Sequence, residues 1–91
     1  MKKQRVVLID DETVFRQLMI MALGRLPKVE IIGDFLDGQE GLYACLREKP
    51  DLLVVDLFLP SMHGFDIARE VKLQLPETRI VVLTSHANET L

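Results

Sequence analysis

The sequence has a single cysteine and no excess of basic residues. Cys45 cannot form a disulfide within the chain and has no second cysteine at metal-ligand spacing, which favours a reducing cytoplasm. It falls in an apolar helical pattern and is predicted to be a buried core thiol. The net charge of −3 excludes the broad basic surface that nucleic-acid-binding domains use. We therefore expect no direct nucleic-acid binding by this segment.

Long apolar runs are also missing. The basic start, Met1–Arg5, is followed by only four apolar residues, Val6–Ile9, before Asp10, which is too short for an export signal. No stretch approaches the ~20 apolar residues of a membrane span. The composition, with 48% apolar and 27% charged residues, is that of an ordinary globular protein. We expect one cytoplasmic domain over residues 1–91, with no membrane partner.

Three short segments are apolar at consecutive positions and rich in β-branched residues: Val6–Ile9, Leu52–Val55 and Ile80–Leu83. Because none of them alternates with polar residues, they are predicted to be strands buried on both faces, as in a parallel sheet covered by helices. A weaker strand candidate, Val29–Ile32, alternates less clearly and is predicted to lie nearer an edge of the sheet.

The first helix is predicted to begin at Thr13, as its N-cap, and to run to about Leu26, where Pro27 ends it. Its apolar residues recur at helical spacing, although the run Met19–Leu23 is apolar all round, so that part of it would be exposed. The residues predicted to recur on one face are Phe15, Leu18, Met19, Ala22 and Leu26.

Two further helices complete an alternating β-α-β-α-β-α-β order. Asp37 stands three residues before Glu40, a spacing typical of a helix start, and that helix is predicted to end at Pro50. The third is predicted to end at Pro76. Alternation of this kind predicts an α/β fold, with a parallel sheet and helices on both of its faces. The residues predicted to face inward are Leu42, Cys45 and Leu46, then Ile67, Ala68, Val71 and Leu75.

Acidic residues directly follow two of the predicted strands. Asp10 and Asp11 come after the first strand and Asp56 after the third. If these strands are neighbours, their tips lie about 5 Å apart, and three carboxylates share one place at the carboxyl edge of the sheet. Such a cluster favours a hard cation such as Mg²⁺, and Asp56, alone at its strand tip, is the candidate nucleophile. The alternative is that these are solvated acids at strand ends, which is the better explanation for any one of them alone.

Three other residues fall near the same predicted edge. Thr84 follows the fourth strand, where its hydroxyl could donate a hydrogen bond to a phosphoryl oxygen. Taken alone, it is an ordinary strand-end threonine. Pro60 and Gly64, in the segment after Asp56, are consistent with ordinary turn chemistry, which a rigid loop beside a metal site also requires.

Three segments together resemble the receiver domain of two-component response regulators. They are VVLIDDE at 6–12, LLVVDLFLPSMHG at 52–64 and IVVLTS at 80–85. The resemblance extends over essentially the whole chain. It implies a flavodoxin-like, doubly wound parallel sheet with strand order 2-1-3-4, the family order being 2-1-3-4-5.

The resemblance also implies a site. Asp56 would accept a phosphoryl group from a sensor histidine kinase. Asp11, Asp56 and the backbone carbonyl of Phe58 would bind Mg²⁺ directly, and Asp10 largely through water. Thr84 would contact the phosphoryl group and shift inward when it is present.

The last residues of the sequence bear on subclass and on signalling. In the family, the positions of Ser85 and His86 influence access to the site and dephosphorylation. The segment 75–86 resembles the LuxR-type subclass, which carries a helix-turn-helix output domain. The family continues with a helix, a fifth strand bearing a lysine and a fifth helix, whereas this sequence ends at Leu91 with no lysine after Thr84. We expect weaker phosphoryl-dependent switching, and a homodimer or exchanged dimer through the exposed edge Ile80–Leu83.

Two other functions remain open at the level of sequence. A Mg²⁺-dependent phosphohydrolase with Asp56 as nucleophile usually needs a second acid two residues on, and Phe58 stands there. An interaction or dimerisation module that keeps the fold without signalling by phosphate is the third candidate. His63 and His86 are each isolated in polar segments, and neither is predicted to be a ligand or a phosphodonor.

Overall fold

Helices and strands alternate along the chain in the predicted order. The computed structural model describes residues 2–84; Ser85, His86 and Leu91, on which several expectations rest, lie outside the described residues. The elements are β1 (Gln4–Ile9), α1 (Thr13–Gly24), β2 (Val29–Phe35), α2 (Gly38–Glu48), β3 (Leu52–Asp56), α3 (Gly64–Gln74) and β4 (Arg79–Leu83).

The described strands form one parallel sheet in the order β2-β1-β3-β4. The predicted order 2-1-3-4 and the place of the weaker strand at an edge are both confirmed. β2 extends to Phe35, three residues beyond its predicted end, through a Gly-Asp pair that lacks the apolar pattern. Because β1 has β2 on one side and β3 on the other, the direction of winding reverses between β1 and β3. Ligands of open α/β sheets bind at such a reversal, beyond the carboxyl ends of the strands.

Both faces of the sheet are covered by helices. Alternate side chains of β1 and β3 point to opposite faces, as the two-residue period of a strand requires. One face packs against α2 and α3, and its buried residues are Val7, Ile9, Leu42, Cys45, Leu53, Val55, Leu59, Ile67 and Val71. The other packs against Met19, Ile20 and Leu23 of α1, and its buried residues are Val6, Leu8 and Val54. The runs of consecutive apolar residues are thus explained by burial on two sides.

The start of α1 differs from the prediction by one residue. Glu12 is the N-cap and Thr13 is already helical; the Glu12 side chain accepts a hydrogen bond from the Phe15 N–H at 3.5 Å. The Asp10 carboxylate accepts a hydrogen bond from the Glu12 N–H at 2.9 Å, which sets the turn before the helix. The helix ends at Gly24, before the predicted Leu26, because a residue that precedes proline disfavours the α conformation.

The prediction of the buried face of α1 was partly wrong. Met19 packs against the sheet as expected, but Leu18 is 57% and Leu26 49% exposed. Ile20 and Leu23 take the inward positions instead. In a helix that is apolar all round, periodicity cannot identify the buried side, and packing against the sheet decides it.

The other two helices follow their predicted patterns. Asp37 is the N-cap of α2 and accepts a hydrogen bond from the Glu40 N–H at 2.9 Å. Cys45 is a free, fully buried thiol, as predicted, and burial raises its pKa to about 12. The inward residues of α2 and α3 are buried or half-buried.

Among residues 2–84, no helix combines the length and the apolarity that crossing a lipid bilayer requires.

At the amino edge of the sheet, a buried threonine joins β3 and β4. The Thr78 hydroxyl donates a hydrogen bond to the Pro50 carbonyl at 2.7 Å, and the Thr78 carbonyl accepts one from Lys72 Nζ at 2.6 Å. The next N–H, of Arg79, donates to the Asp51 carbonyl at 3.0 Å. These bonds fix how far β4 is shifted along β3, and therefore where its carboxyl end lies.

We expect Thr78→Val to lower the free energy of unfolding by roughly 1 to 3 kcal/mol, because valine keeps the shape but leaves the buried Pro50 carbonyl without its donor. Urea unfolding would measure the change. Thr78→Ser keeps the hydroxyl and should lose less stability. A larger loss in Thr78→Ser than in Thr78→Val would show that the methyl group, rather than the hydrogen bond, is what matters.

Candidate metal centre

Two buried carboxylates lie side by side where the sheet reverses its winding. Ile9 pairs with Val55 in the parallel register of β1 and β3, so the following residues, Asp10 and Asp56, are adjacent at the carboxyl edge. Both aspartates are fully buried, while Asp11 is more exposed. Burial of charged side chains is costly unless they are paired or bind a cation.

The three carboxylates converge on one point. Each of Asp10, Asp11 and Asp56 offers an oxygen, and these oxygens all lie within 4.8 Å of one another. The Oδ2 atom of Asp10 is buried and has no hydrogen-bond partner among the described residues. An all-oxygen set of this kind fits a hard divalent cation, and Mg²⁺ is typically held by one or two carboxylates with water in its other positions. The residues present therefore fit the cation that the sequence predicted.

Main-chain hydrogen bonds hold the two buried carboxylates in place. The Asp10 N–H donates to the Phe35 carbonyl of β2 at 2.9 Å, which fixes the end of β1. Asp56 Oδ1 accepts a hydrogen bond from the Phe58 N–H at 3.3 Å. With Oδ1 of each aspartate bonded to a nearby main-chain N–H, the orientations of both carboxylates are set by the turns that follow β1 and β3.

The surroundings of Asp10 favour its protonated form. Burial is the largest cause that raises its pKa, and the nearby charges of Asp56, Asp11 and Glu12 raise it further. The hydrogen bond from the Glu12 N–H acts in the opposite direction but does not cancel them. A cation beside these carboxylates would reverse the balance, because it favours their charged forms.

Gly64 has a different role from the one predicted. It is the first residue of α3, and its backbone has none of the positive φ values that turn glycines adopt. A Cβ placed on Gly64 would collide with the Asp56 carbonyl oxygen and come within 2.7 Å of the Leu57 Cα. Glycine is therefore required by close packing of α3 on the end of β3, and not by turn conformation.

The segment between β3 and α3 is also tied to α2. The Ser61 hydroxyl donates a hydrogen bond to Asp37 Oδ1 at 3.0 Å. This bond, together with the larger effect of the Glu40 N–H, lowers the pKa of Asp37. Pro60, in the same segment, is exposed. The loop that carries Phe58 is thus tied to the N-cap of α2.

Thr84 and Phe58, predicted from the resemblance, lie at the same edge as the carboxylates. Leu83 pairs with Asp56, and its carbonyl accepts a hydrogen bond from the Leu57 N–H at 2.9 Å. Thr84 is the next residue and is exposed. The Phe58 N–H donates a hydrogen bond to the Asp56 carboxylate, so the Phe58 main chain lies beside Asp56. Strand pairing thus places both residues at the carboxyl edge of the sheet, and their roles remain proposals.

His63 has a local structural partner. It is the N-cap of α3, and its Nδ1 atom accepts a hydrogen bond from the Phe65 N–H at 3.3 Å. Its ring lies 5.7 Å from that of Phe65 and 6.2 Å from that of Phe58, between centroids. It is not part of the acidic cluster.

Arg16 is a residue of this centre that sequence reasoning missed. Its side chain is only 11% exposed, and it donates hydrogen bonds to the Asp10 carbonyl and to Asp34. One signal was present in the sequence: Arg16 is the one charged residue between Thr13 and Gly24. A lone cation in an apolar helix is expected to have a specific partner.

The fold and this edge define a class: an open α/β domain with a triad of carboxylates at the reversal of its sheet. The family model for the response regulator receiver domain matches residues 6–91. The signal receiver domain of NarL from Mycobacterium tuberculosis superposes with a TM-score of 0.89 at 31% identity, over 97% of this chain and 71% of that one. The chain belongs to the response regulator receiver family.

Curated relatives include both enzymes and transcription regulators. A protein-glutamate methylesterase/protein-glutamine glutaminase from Geobacter sulfurreducens is 38% identical over 98% of this chain, which covers 24% of that protein. The transcriptional regulatory protein LiaR from Bacillus subtilis is 33% identical over 93% of this chain, which covers 40% of it. This chain thus spans about a quarter of the length of the first relative and two fifths of the length of the second.

We expect Asp10→Asn to raise the free energy of unfolding at neutral pH when no divalent cation is present. The folded state penalises the charged form of Asp10, because its pKa there is raised above the ordinary 3.8. The penalty is present at neutral pH, decreases as the pH falls through the raised pKa, and disappears below 3.8. Urea unfolding between pH 7 and pH 3 would measure it.

Asp66→Asn, which changes an exposed aspartate of α3, is the control and should show no such gain. An Asp10→Asn protein that is less stable than the wild type at pH 7 without metal would contradict this interpretation.

Proposed function

We propose that this chain is the phosphoacceptor module of a two-component system, in which Asp56 accepts a phosphoryl group from a sensor histidine kinase with the help of Mg²⁺. The observation that carries the proposal is the convergence of three carboxylates within 4.8 Å, two of them fully buried. Structural acids at strand ends have no reason to meet at one buried point.

The chemistry assigned to Asp56 is nucleophilic attack on phosphorus. A carboxylate oxygen of Asp56 forms the new P–O bond as the P–N bond to the kinase histidine breaks, and the electron pair of that bond stays on the imidazole nitrogen. When bound, Mg²⁺ neutralises and orients the phosphoryl oxygens. The hydrogen bond from the Phe58 N–H to Oδ1 orients the carboxylate.

The neighbouring residues have supporting roles in this proposal. Asp11, Asp56 and the Phe58 carbonyl would hold the cation directly, and Asp10, whose Oδ2 lacks a hydrogen-bond partner among the described residues, would contribute largely through water. Thr84 directly follows Leu83, which pairs with Asp56 in the sheet. In this proposal its hydroxyl donates a hydrogen bond to a phosphoryl oxygen. Substituting Asp10, Asp11 or Thr84 should weaken phosphoryl transfer without removing the acceptor.

The proposed module is a phosphoacceptor and not an independent enzyme. Its own chemistry is limited to gaining and losing the phosphoryl group on Asp56. We further propose that the complete protein passes the signal to an output domain, of the LuxR-type helix-turn-helix class. LiaR, of which this chain covers 40%, supports that assignment, whereas the methylesterase relative supports an enzymatic output.

Incubation with a small phosphodonor and Mg²⁺ should add one phosphoryl group per chain, at Asp56. Mass spectrometry of the intact protein would detect it, and Asp56→Asn should abolish it because the amide is not a nucleophile. Asp66→Asn, which leaves the centre intact, should be labelled like the wild type.

The competing functions give other results. Turnover of a phosphate ester without stable labelling would indicate a phosphohydrolase. No labelling and no turnover, with the fold intact by circular dichroism, would favour an interaction module.

We also propose that the edge strand β4 mediates self-association of this chain. Among the described strands, β4 pairs with β3 on one side only, and Val81 is 46% exposed. Such an edge offers main-chain N–H and C=O groups for pairing with a second strand.

Light scattering should therefore detect dimers or larger species of the 91-residue chain as concentration rises. Val81→Lys should reduce association, because a charge on an edge strand opposes strand pairing. Val14→Lys changes an exposed valine of α1 and is the control. A monomer at all concentrations would refute this proposal.

A further inference from the structure

The guanidinium group of Arg16 links three elements beneath the carboxylate cluster. Arg16 lies on α1, its Nη1 atom donates a hydrogen bond to the Asp10 carbonyl at 3.0 Å, and its Nε atom donates one to Asp34 Oδ1 at 3.3 Å. Asp34 belongs to β2 and pairs with Leu8 of β1. One side chain thus joins α1, the end of β1 and β2.

The bond to the Asp10 carbonyl bears directly on the metal ligands. That carbonyl belongs to the peptide group between Asp10 and Asp11, and a peptide group is planar. Fixing the direction of its oxygen therefore also fixes the direction of the Asp11 N–H and the position of the Asp11 Cα, from which this ligand side chain leaves the main chain. The Asp10 N–H is held on its other side by the Phe35 carbonyl at 2.9 Å. Both main-chain groups of Asp10 have defined partners.

Burial shows that this arrangement is more than a surface ion pair. The Arg16 side chain is 11% exposed, whereas its partner Asp34 is 42% exposed. Arginine suits the task because its planar group donates several hydrogen bonds in a fixed geometry and stays charged at every relevant pH. Arg16 contacts Asp10 through its main-chain carbonyl.

We propose that Arg16 is a positioning residue of the metal centre, which sets the placement of the Asp10 and Asp11 carboxylates and thereby the affinity and selectivity for Mg²⁺. This inference rests on the proposed function. Mg²⁺ demands near-ideal octahedral geometry, whereas Ca²⁺ accepts variable coordination. A loosened pair of ligands should therefore lose more affinity for Mg²⁺ than for Ca²⁺.

The test is isothermal titration calorimetry of the 91-residue chain with Mg²⁺ and with Ca²⁺, at constant ionic strength. Arg16→Met keeps much of the side-chain length and removes both hydrogen bonds. We expect it to weaken Mg²⁺ binding by about 10-fold or more, as groups that hold metal ligands in place commonly do, and Ca²⁺ binding by about 3-fold or less. Arg16→Lys, which can restore one donor, should fall between Arg16→Met and the wild type.

Arg5→Met is the matched control. Arg5 Nη1 also donates hydrogen bonds to main-chain carbonyls, those of Glu48 at 2.8 Å and Lys49 at 3.2 Å, and its Nη2 atom pairs with the Glu48 carboxylate at 3.4 Å. These contacts lie at the amino edge of the sheet, away from the cluster. Arg5→Met should therefore lower stability to urea while leaving both metal affinities within about 2-fold of the wild type.

The outcomes of these titrations can overturn either the role of Arg16 or the proposed function. Unchanged affinities in Arg16→Met, or equal losses for Mg²⁺ and Ca²⁺, would overturn the inference and leave Arg16 a purely structural residue. If Arg16→Met does not fold, the same comparison is made with Arg16→Lys. A wild-type chain that binds no Mg²⁺ would instead refute the proposed function, and this inference with it.

Discussion

The structure depends on the placement of negative charge where two parallel strands end. Asp10 and Asp56 are fully buried beside each other, and Asp11 brings a third carboxylate within 4.8 Å. Three charges this close repel, and both burial and this repulsion raise the pKa of Asp10. An unliganded cluster of this kind is costly for a small domain whose total stability is only several kcal/mol. A divalent cation bound between these carboxylates would offset their repulsion and stabilise their charged forms.

The surrounding fold keeps the carboxylates together despite their repulsion. β1 and β3 fix the two strand tips by their register. Close packing at Gly64 presses α3 against the end of β3, and Arg16 holds the end of β1 from α1. These features lie outside the predicted ligand set, yet each acts on the main chain that carries a ligand. The site is therefore a product of the whole sheet and its helices.

Much of the fold and the acidic site could be predicted because strong local signals carried them. Runs of consecutive apolar residues identified the buried strands, and acids directly after two of them identified the edge. The missed features depend on contacts across the sheet. The exposure of Leu18 could not be read from a helix that is apolar all round, and the steric role of Gly64 depends on a backbone approach that no local pattern records. Arg16 was missed because its partner Asp34 lies in the part of β2 that the sequence did not predict.

The most direct test of the account is a crystal structure of the 91-residue chain grown with Mg²⁺. One ion should then lie at the carboxyl edge, with oxygens of Asp11 and Asp56 at about 2.0 to 2.1 Å, the distance typical of Mg²⁺. The Phe58 carbonyl should be a third protein ligand. Carboxylates that point apart in those crystals, or an ion bound elsewhere with this edge empty, would contradict the central claim.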